Sequence, residues 1–316
     1  MSPLIFAVYP YPLHFLRRRI YVTYYILSEH FSPYSNNTID AVQENLYNAE
    51  TERYFAVYKL RTIHEETVHG AMSVNGTQNE NVYITGDKHC SFRPFFGLRD
   101  KGLVQENDIL IITGDAGYVW DEEYMTKIRT LEQLFSGTLA FIDGNHENHS
   151  ILNRLPGSLW HGGRVHRIGD RVFHLMRGEI YEIGGARYFA FGGARTVSRY
   201  VEGVEGVDWW TGEEPSPEEI DHGRRQIAAH IPDIDYVITH EAPLQARDRI
   251  SRVKRIDPDY MLPSILQDWY ETLAGAGRLK QWYFGHMHVD QQITPHLRAI
   301  HNNILQVGTE TKLDWA

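Results

Sequence analysis

The sequence has almost no cysteine and a shortage of positive charge. Cys90 is the single cysteine in 316 residues, so the chain forms no intramolecular disulfide and no cysteine-rich zinc site. The 31 Lys and Arg residues against 41 Asp and Glu residues give a net charge of −10. This balance argues against a surface that coats nucleic acid, because such a surface needs a basic footprint. A phosphate-bearing substrate is still compatible with it, because bound metal ions reverse the local charge.

Long uninterrupted apolar runs are also absent. Residues 2–16 are mostly apolar, but Pro3, Pro10 and Pro12 break the run. The basic residues 17–19 follow the apolar run, whereas a secretory signal places its positive charge first, and they interrupt any stretch long enough to span a bilayer. We therefore predict a cytoplasmic protein with no membrane span; a segment that binds an interface or a partner is the alternative for this region.

The first 80 residues differ in pattern from the rest of the chain. Apolar residues recur at roughly helical spacing between residues 40 and 70, which favours one or two amphipathic helices. The polar stretch 73–80 has no apolar periodicity and indicates a loop or linker. We predict an N-terminal accessory segment over residues 1–80, partly helical and available to a protein partner, and a catalytic domain over residues 81–316.

Five short apolar runs after residue 80 end in polar clusters. Runs of this kind, bounded by turn residues, are typical of buried strands, and a helical pattern over residues 121–135 lies between two of them. Ligands of such α/β folds bind at the carboxyl ends of the strands, so we expect the clusters to converge. The runs are 82–85, 108–113, 138–143, 236–239 and 281–284.

The polar clusters supply the donors of a metal site. Carboxylate, imidazole and amide groups suit borderline divalent metals such as Mn, Fe or Zn. Seven donors exceed what one tetrahedral ion takes but suffice for two ions that share a carboxylate, as in two-metal phosphoesterases. The histidine content of 17 residues fits this view. The candidate ligands are Asp87, His89, Asp115, Asn145, His240, His286 and His288.

The motifs at residues 87–89, 114–115, 144–147, 240 and 285–288 together resemble the calcineurin-like metallophosphoesterase superfamily over about residues 81–310. The resemblance implies a four-layer α/β/β/α sandwich with the metals at the sheet ends. It also implies that His146 is the catalytic residue that faces the scissile phosphate. By the same resemblance Asp87, His89 and His288 hold one ion, Asn145, His240 and His286 hold the other, and Asp115 bridges them.

Departures from the family motifs argue against two subfamilies, the protein Ser/Thr phosphatases and the purple acid phosphatases. The chain has Ala116-Gly117 where protein Ser/Thr phosphatases carry an Arg after the second motif, which argues against a protein phosphatase. Tyr118 matches the position of the iron-binding Tyr of purple acid phosphatases, but those enzymes lack the histidine of the first motif, so we interpret Tyr118 as a packing or substrate-facing residue. Arg195 and Arg199 are candidate phosphate-gripping residues, with surface arginines at a turn as the alternative.

The function that the resemblance and the donor set imply is dinuclear-metal-dependent hydrolysis of phosphoester bonds by metal-activated hydroxide. The expected substrate is a small phosphodiester or phosphomonoester, with nucleotides among the candidates. Manganese is the leading metal, and iron and zinc are the alternatives. His146 would donate a proton to the leaving group. The second hypothesis is a non-catalytic scaffold of the same fold that binds protein partners; such a scaffold should have lost ligands or His146, and the sequence retains all of them.

Overall fold

The strands of the computed structural model form two sheets. The structure describes residues 80–196, 203–250 and 259–316, all within one compact unit, Asn75–Ala316. The predicted accessory segment lies outside these residues except for its last residue, and the boundary stays a prediction. The strands are β1 Val82–Thr85, β2 Ile109–Ile112, β3 Thr138–Phe141, β4 Gly157–Trp160, β5 Gly163–Arg167, β6 Val172–Leu175, β7 Glu179–Ile183, β8 Ala186–Phe191, β9 Tyr236–Thr239, β10 Gln281–Phe284, β11 Gln291–Thr294, β12 Leu297–Ala299 and β13 Leu305–Gln306.

The first sheet has seven strands in the order β13-β1-β2-β3-β6-β5-β4. Its centre is parallel from β1 to β6, and β13, β5 and β4 run antiparallel to their neighbours. The second sheet has six strands in the order β11-β12-β10-β9-β8-β7, with a parallel centre from β8 to β12. Parallel centres place the carboxyl ends of neighbouring strands at one edge of each sheet.

Strand β2 shows how the layers pack. Ile109 and Ile111 belong to the apolar core that also contains residues of the second sheet, such as Ile238. Leu110 and Ile112 belong to the core on the other face of the strand. Successive side chains of a strand point to opposite faces, so a strand that is buried on both faces has an uninterrupted apolar sequence.

Helices cover both outer faces of the paired sheets. Phe95 and Ile128, from the first two helices, pack on the outer face of the first sheet, and Trp269 of the last helix packs on the second sheet. The predicted four-layer sandwich is therefore confirmed. No helix within the described ranges is both long and apolar enough to cross a membrane. The helices are α1 Arg93–Asp100, α2 Tyr124–Leu134, α3 His149–Leu152, α4 Pro217–His230, α5 Leu244–Ile250 and α6 Leu262–Gly275, with a 3₁₀ turn at Thr211–Glu213.

The strands between residues 164 and 191 are divided between the two sheets. From the sequence alone, the alternating apolar runs of this region favour strands of the second sheet, and β7 and β8 do belong there. Strands β5 and β6, however, belong to the first sheet, where β6 pairs in parallel with β3. Alternation of apolar residues identifies a strand but not its partner, so the crossover after β6 could not be located from the pattern.

A buried ion pair lies behind the end of β3. Asp143 is 2% exposed and accepts hydrogen bonds from Arg177 Nε at 2.9 Å and from His174 at 3.1 Å. Burial raises the pKa of Asp143, but the charge of Arg177 and the His174 contact outweigh it and hold the pKa well below its usual range. Arg177 also donates to Glu219 and to the carbonyl of Gly212, so one guanidinium joins the strand end to α4 and to the 3₁₀ turn.

Replacing Arg177 with methionine is expected to lower the free energy of unfolding by about 3–5 kcal/mol, because the Asp143 carboxylate would stay buried without a counter-charge. Urea denaturation of the full chain measures the change. Arg224→Met is the matched control: its ion pair with Asp221 is exposed on both sides, so its loss should cost at most about 1 kcal/mol. Equal losses in the two variants would contradict the assigned role of the buried pair.

Candidate metal centre

Five strand ends bring the candidate ligands together. Asp87 and His89 follow β1, Asp115 follows β2, and the remaining candidates follow β3, β9 and β10. Asp115 has a φ of 50°, and His89, His286 and His288 have φ values of 44°, 62° and 49°. A left-handed backbone is uncommon for residues other than glycine, and where it clusters it marks functional sites.

Two glycines allow the donors to approach one another. A Cβ on Gly144 would lie 2.1 Å from Asp115 Oδ1, and a Cβ on Gly114, whose φ is +90°, would lie 2.3 Å from His240 Nδ1. Both distances are far below van der Waals contact. These two glycines are therefore required by the space that the neighbouring donors occupy.

The first donor group contains Asp87, His89, Asp115 and His288, whose ligand atoms all lie within 4.8 Å of one another. The Nε2 atoms of His89 and His288 are 3.2 Å apart. His288 Nε2 is 3.6 Å from Asp87 Oδ1, and His89 Nε2 is 3.8 Å from Asp115 Oδ2. These are the four residues that the resemblance assigns to one ion, including the bridging carboxylate.

The second donor group contains Asp115, His240 and His286, again within 4.8 Å. His240 Nε2 lies 3.2 Å from Asp115 Oδ1 and 3.2 Å from Asn145 Oδ1. Asp115 is thus shared between the groups, with one carboxylate oxygen facing each. All seven predicted ligands converge, and their role as ligands is the proposal developed below.

The acceptor atoms of the second donor group face one another in a way that suits a bound cation. His240 Nδ1 lies 2.8 Å from the carbonyl of Thr113, which can only accept, so Nδ1 carries the proton. In a neutral ring Nε2 then presents a lone pair to the lone pairs of Asp115 and Asn145, an arrangement that needs a positive charge between them. Burial opposes a charged ring, but Asp115 outweighs it and raises the pKa of His240 to about 10. A divalent ion would supply the same positive charge.

The amide of Asn145 is oriented by a chain of buried side chains. Asn145 Nδ2 donates to Thr196 Oγ1 at 3.2 Å, and Thr196 Oγ1 donates in turn to Glu213 Oε2 at 2.7 Å. Because the hydroxyl proton points to Glu213, the amide must offer its N–H₂ to Thr196 and its oxygen to His240. Glu213, fully buried, therefore sets which Asn145 atom faces the donor group.

Glu147 forms hydrogen bonds to the loops that follow β2 and β3. Its carboxyl oxygens accept from Gly117 N at 3.1 Å and from Gly144 N at 2.6 Å. Burial and the charge of Asp115 raise its pKa to about 8. The residue lies one position beyond His146 in the sequence, and its contacts tie the loop after β3 to the loop after β2.

His146 lies beside the donors. Its backbone N–H donates to Asp115 Oδ1 at 2.8 Å, and its half-buried ring stands edge-on to that of His89 with centroids 4.9 Å apart. The ring of Trp120 lies nearly parallel to that of His146, with centroids 6.2 Å apart. Within the part of the chain that the structure describes, neither donor group includes the His146 ring, a placement that suits a residue facing a substrate.

The candidate phosphate-binding arginines and Tyr118 have different surroundings. Arg195 forms a bidentate ion pair with Glu214, and its Cζ lies 4.6 Å from the centroid of the Tyr260 ring. A substrate phosphate would therefore have to compete with the Glu214 carboxylate for this guanidinium. Arg199 lies outside the described residues. Tyr118 is 1% exposed and donates to the carbonyl of Ser91 at 2.6 Å, which supports a packing role.

The sequence pattern missed several side chains around the donors. Glu241 is fully buried, 3.7 Å from His286 Nε2, and accepts from Tyr260 and Arg247. Its position directly after His240 was the one available signal. Thr196, Glu213 and His301 carry no motif, and only the folded chain brings them to the site.

Comparison with known proteins agrees with the motifs. The family described as calcineurin-like phosphoesterase matches residues 80–290. The crystal structure of TT1561 of Thermus thermophilus shares 9% identity, with a TM-score of 0.42, over 75% of this chain and 98% of that chain. The sulfate thiohydrolase SoxB of the same species, solved with glycerol, shares 7% identity, with a TM-score of 0.36, over 77% of this chain and 56% of that chain. No curated protein matches the chain.

Proposed function

The chain belongs to the calcineurin-like phosphoesterase family, and we propose that it hydrolyses small phosphodiesters or phosphomonoesters with two divalent metal ions, with nucleotides among the candidate substrates. The observation that carries the proposal is the position of Asp115, whose carboxylate belongs to both donor groups. A shared carboxylate is what distinguishes a dinuclear centre from two separate sites. A cytoplasmic location and a protein partner for residues 1–80 stay predictions from the sequence.

The residues present suit a dinuclear centre with mixed oxygen and nitrogen donors. Asp87, His89 and His288 would hold one ion, Asn145, His240 and His286 the other, and Asp115 would contact both. Manganese is our leading candidate, with iron and zinc as alternatives. When bound, the ions supply Lewis acidity towards the phosphate oxygens and lower the pKa of the attacking water.

The protein's own contribution is to orient donors and to move a proton. The Thr196 hydroxyl fixes the Asn145 amide, and the Thr113 carbonyl fixes the tautomer of His240, so both present lone pairs to the centre. His146, held by its backbone contact to Asp115, would donate a proton from its ring to the leaving oxygen as the P–O bond breaks. Arg195 would contact the phosphate only if Glu214 releases it.

The direct test is a substrate and metal screen of the purified full chain. Nitrophenyl phosphomonoesters and phosphodiesters would be offered with Mn²⁺, Zn²⁺, Fe²⁺ or Mg²⁺ in turn. We expect hydrolysis of at least one ester class that stops when EDTA removes the metal and returns when the metal is restored. Hydrolysis that persists at full rate in EDTA would contradict the proposal.

The same screen separates the enzyme from the non-catalytic scaffold. A scaffold that keeps the donors would bind two ions per chain yet hydrolyse none of the esters. Metal content is therefore measured by mass spectrometry on the same samples. Two bound ions with no turnover of any ester would favour the scaffold.

A further inference from the structure

His301 is a histidine beside the donors that the metal-site motifs do not include. It follows β12, and its backbone is held from two sides. Its carbonyl accepts from Lys88 Nζ at 2.8 Å and from Gly86 N at 3.2 Å. The Asp290 carboxylate accepts its N–H at 2.9 Å, together with those of the next two residues. The position of His301 is thus fixed to the loops that carry the first donor group.

The ring of His301 contacts two proposed ligands. It stacks on the ring of His288, with centroids 4.8 Å apart and an angle of 15° between the planes. Its Nδ1 lies 3.8 Å from Asp87 Oδ2. Both of these atoms are buried, and neither has a hydrogen-bond partner among the residues that the structure describes.

The two oxygens of Asp87 have different environments. Oδ1 accepts the N–H of His286 at 3.0 Å and lies 3.6 Å from His288 Nε2, so it faces the donor group. Oδ2 faces the His301 ring. A buried carboxylate oxygen without a partner is costly, and the 3.8 Å gap to Nδ1 is about 1 Å longer than a hydrogen bond. A small closing movement would satisfy both atoms at once.

We propose that His301 is a positioning residue of the metal centre. Its Nδ1–H donates to Asp87 Oδ2, which turns Oδ1 towards the ion, and its ring supports the plane of His288. One residue thereby orients two of the four ligands of the first group, which is how outer hydrogen bonds tune metal affinity in other proteins. The inference rests on the proposed metal-dependent function, because the ion is what gives the orientation its value.

Two substitutions separate the roles of the ring and of Nδ1. His301→Phe keeps a ring that can stack on His288 but removes the donor, and His301→Asn keeps a donor at the δ position but removes the ring. Metal-free full chains are titrated with Mn²⁺, and free and coupled Mn²⁺ are followed by electron paramagnetic resonance. We expect His301→Phe to lower the affinity for one of the two ions by about 10–100-fold and to leave the affinity for the other near the wild-type value. We expect His301→Asn to recover part of the lost affinity.

The control is His230→Phe. His230 lies in the last turn of α4, where its Nδ1 contacts the carbonyl of Gln226. The variant should bind both ions as the wild type does. Thermal melts without metal show that each variant is folded. Wild-type affinity for both ions in His301→Phe, or an equal loss of affinity for the two ions, would overturn the inference while leaving the dinuclear centre intact. A wild-type chain that binds none of Mn²⁺, Zn²⁺ and Fe²⁺ would instead overturn the proposed function and the inference together.

Discussion

Replacing Asp115 with asparagine should empty both halves of the metal centre and reduce hydrolysis to background. The substitution keeps the size of the side chain but removes the negative charge and places an N–H₂ group where a carboxylate oxygen faces one donor group. Because Asp115 faces both groups, both ions should bind more weakly, by more than the roughly 10–100-fold that a change outside the ligand shell costs. Metal content after dialysis and titration with Mn²⁺ measure the loss.

Asn145→Ala provides the contrast. Asn145 Oδ1 lies beside His240 of the second group, so its loss should chiefly release one ion. Asp268→Asn, at an exposed aspartate of α6, controls for the loss of one negative charge from an acidic chain. Full occupancy by two ions in Asp115→Asn, or equal loss in Asp115→Asn and Asn145→Ala, would refute the bridging assignment.

His146→Ala should slow the hydrolysis of alkyl phosphoesters by about 10²–10⁴-fold, the usual contribution of a general acid. An alkoxide is a poor leaving group and needs a proton as it departs, whereas nitrophenolate leaves with little help. The loss on nitrophenyl esters should therefore be much smaller. Both ions should stay bound, because the His146 ring lies outside the two donor groups of the described chain.

Rates on the two ester types, measured beside metal content, distinguish an acid from a ligand. A ligand role for His146 predicts that metal content falls and that the hydrolysis rates of both ester types decrease by the same factor. His230→Ala serves as the matched histidine control and should match the wild type on both esters. A uniform loss on alkyl and nitrophenyl esters at full metal occupancy would count against the acid assignment.

The strands that carry the donors could be predicted because each signal is local. Strands β1, β9 and β10 begin and end at the residues that the apolar runs indicate, and β2 and β3 differ by at most two residues at an end. A buried parallel strand must be apolar on both faces and must stop where polar residues begin. The donors directly follow these ends, so their convergence could be inferred from the pattern.

The surroundings of the donors could not be predicted in this way. Thr196 and Glu213 reach Asn145 from 51 positions away or more, and His301 contacts a loop more than 200 positions earlier in the chain. Edge strand β4 is largely exposed and carries no apolar alternation. Contacts of these kinds depend on which elements are neighbours in the fold. The spacing of residues within a short stretch of sequence does not predict those neighbours.

The distance along the chain between the first and last donors has a consequence for synthesis on the ribosome. Asp87 and His288 belong to one donor group yet are separated by 288 − 87 = 201 positions. At about 5–20 residues per second, roughly 10–40 s pass between their translation. During that interval the nascent chain lacks at least one member of the proposed first donor group. We therefore expect metal to enter the proposed centre only after β10 has paired with β9.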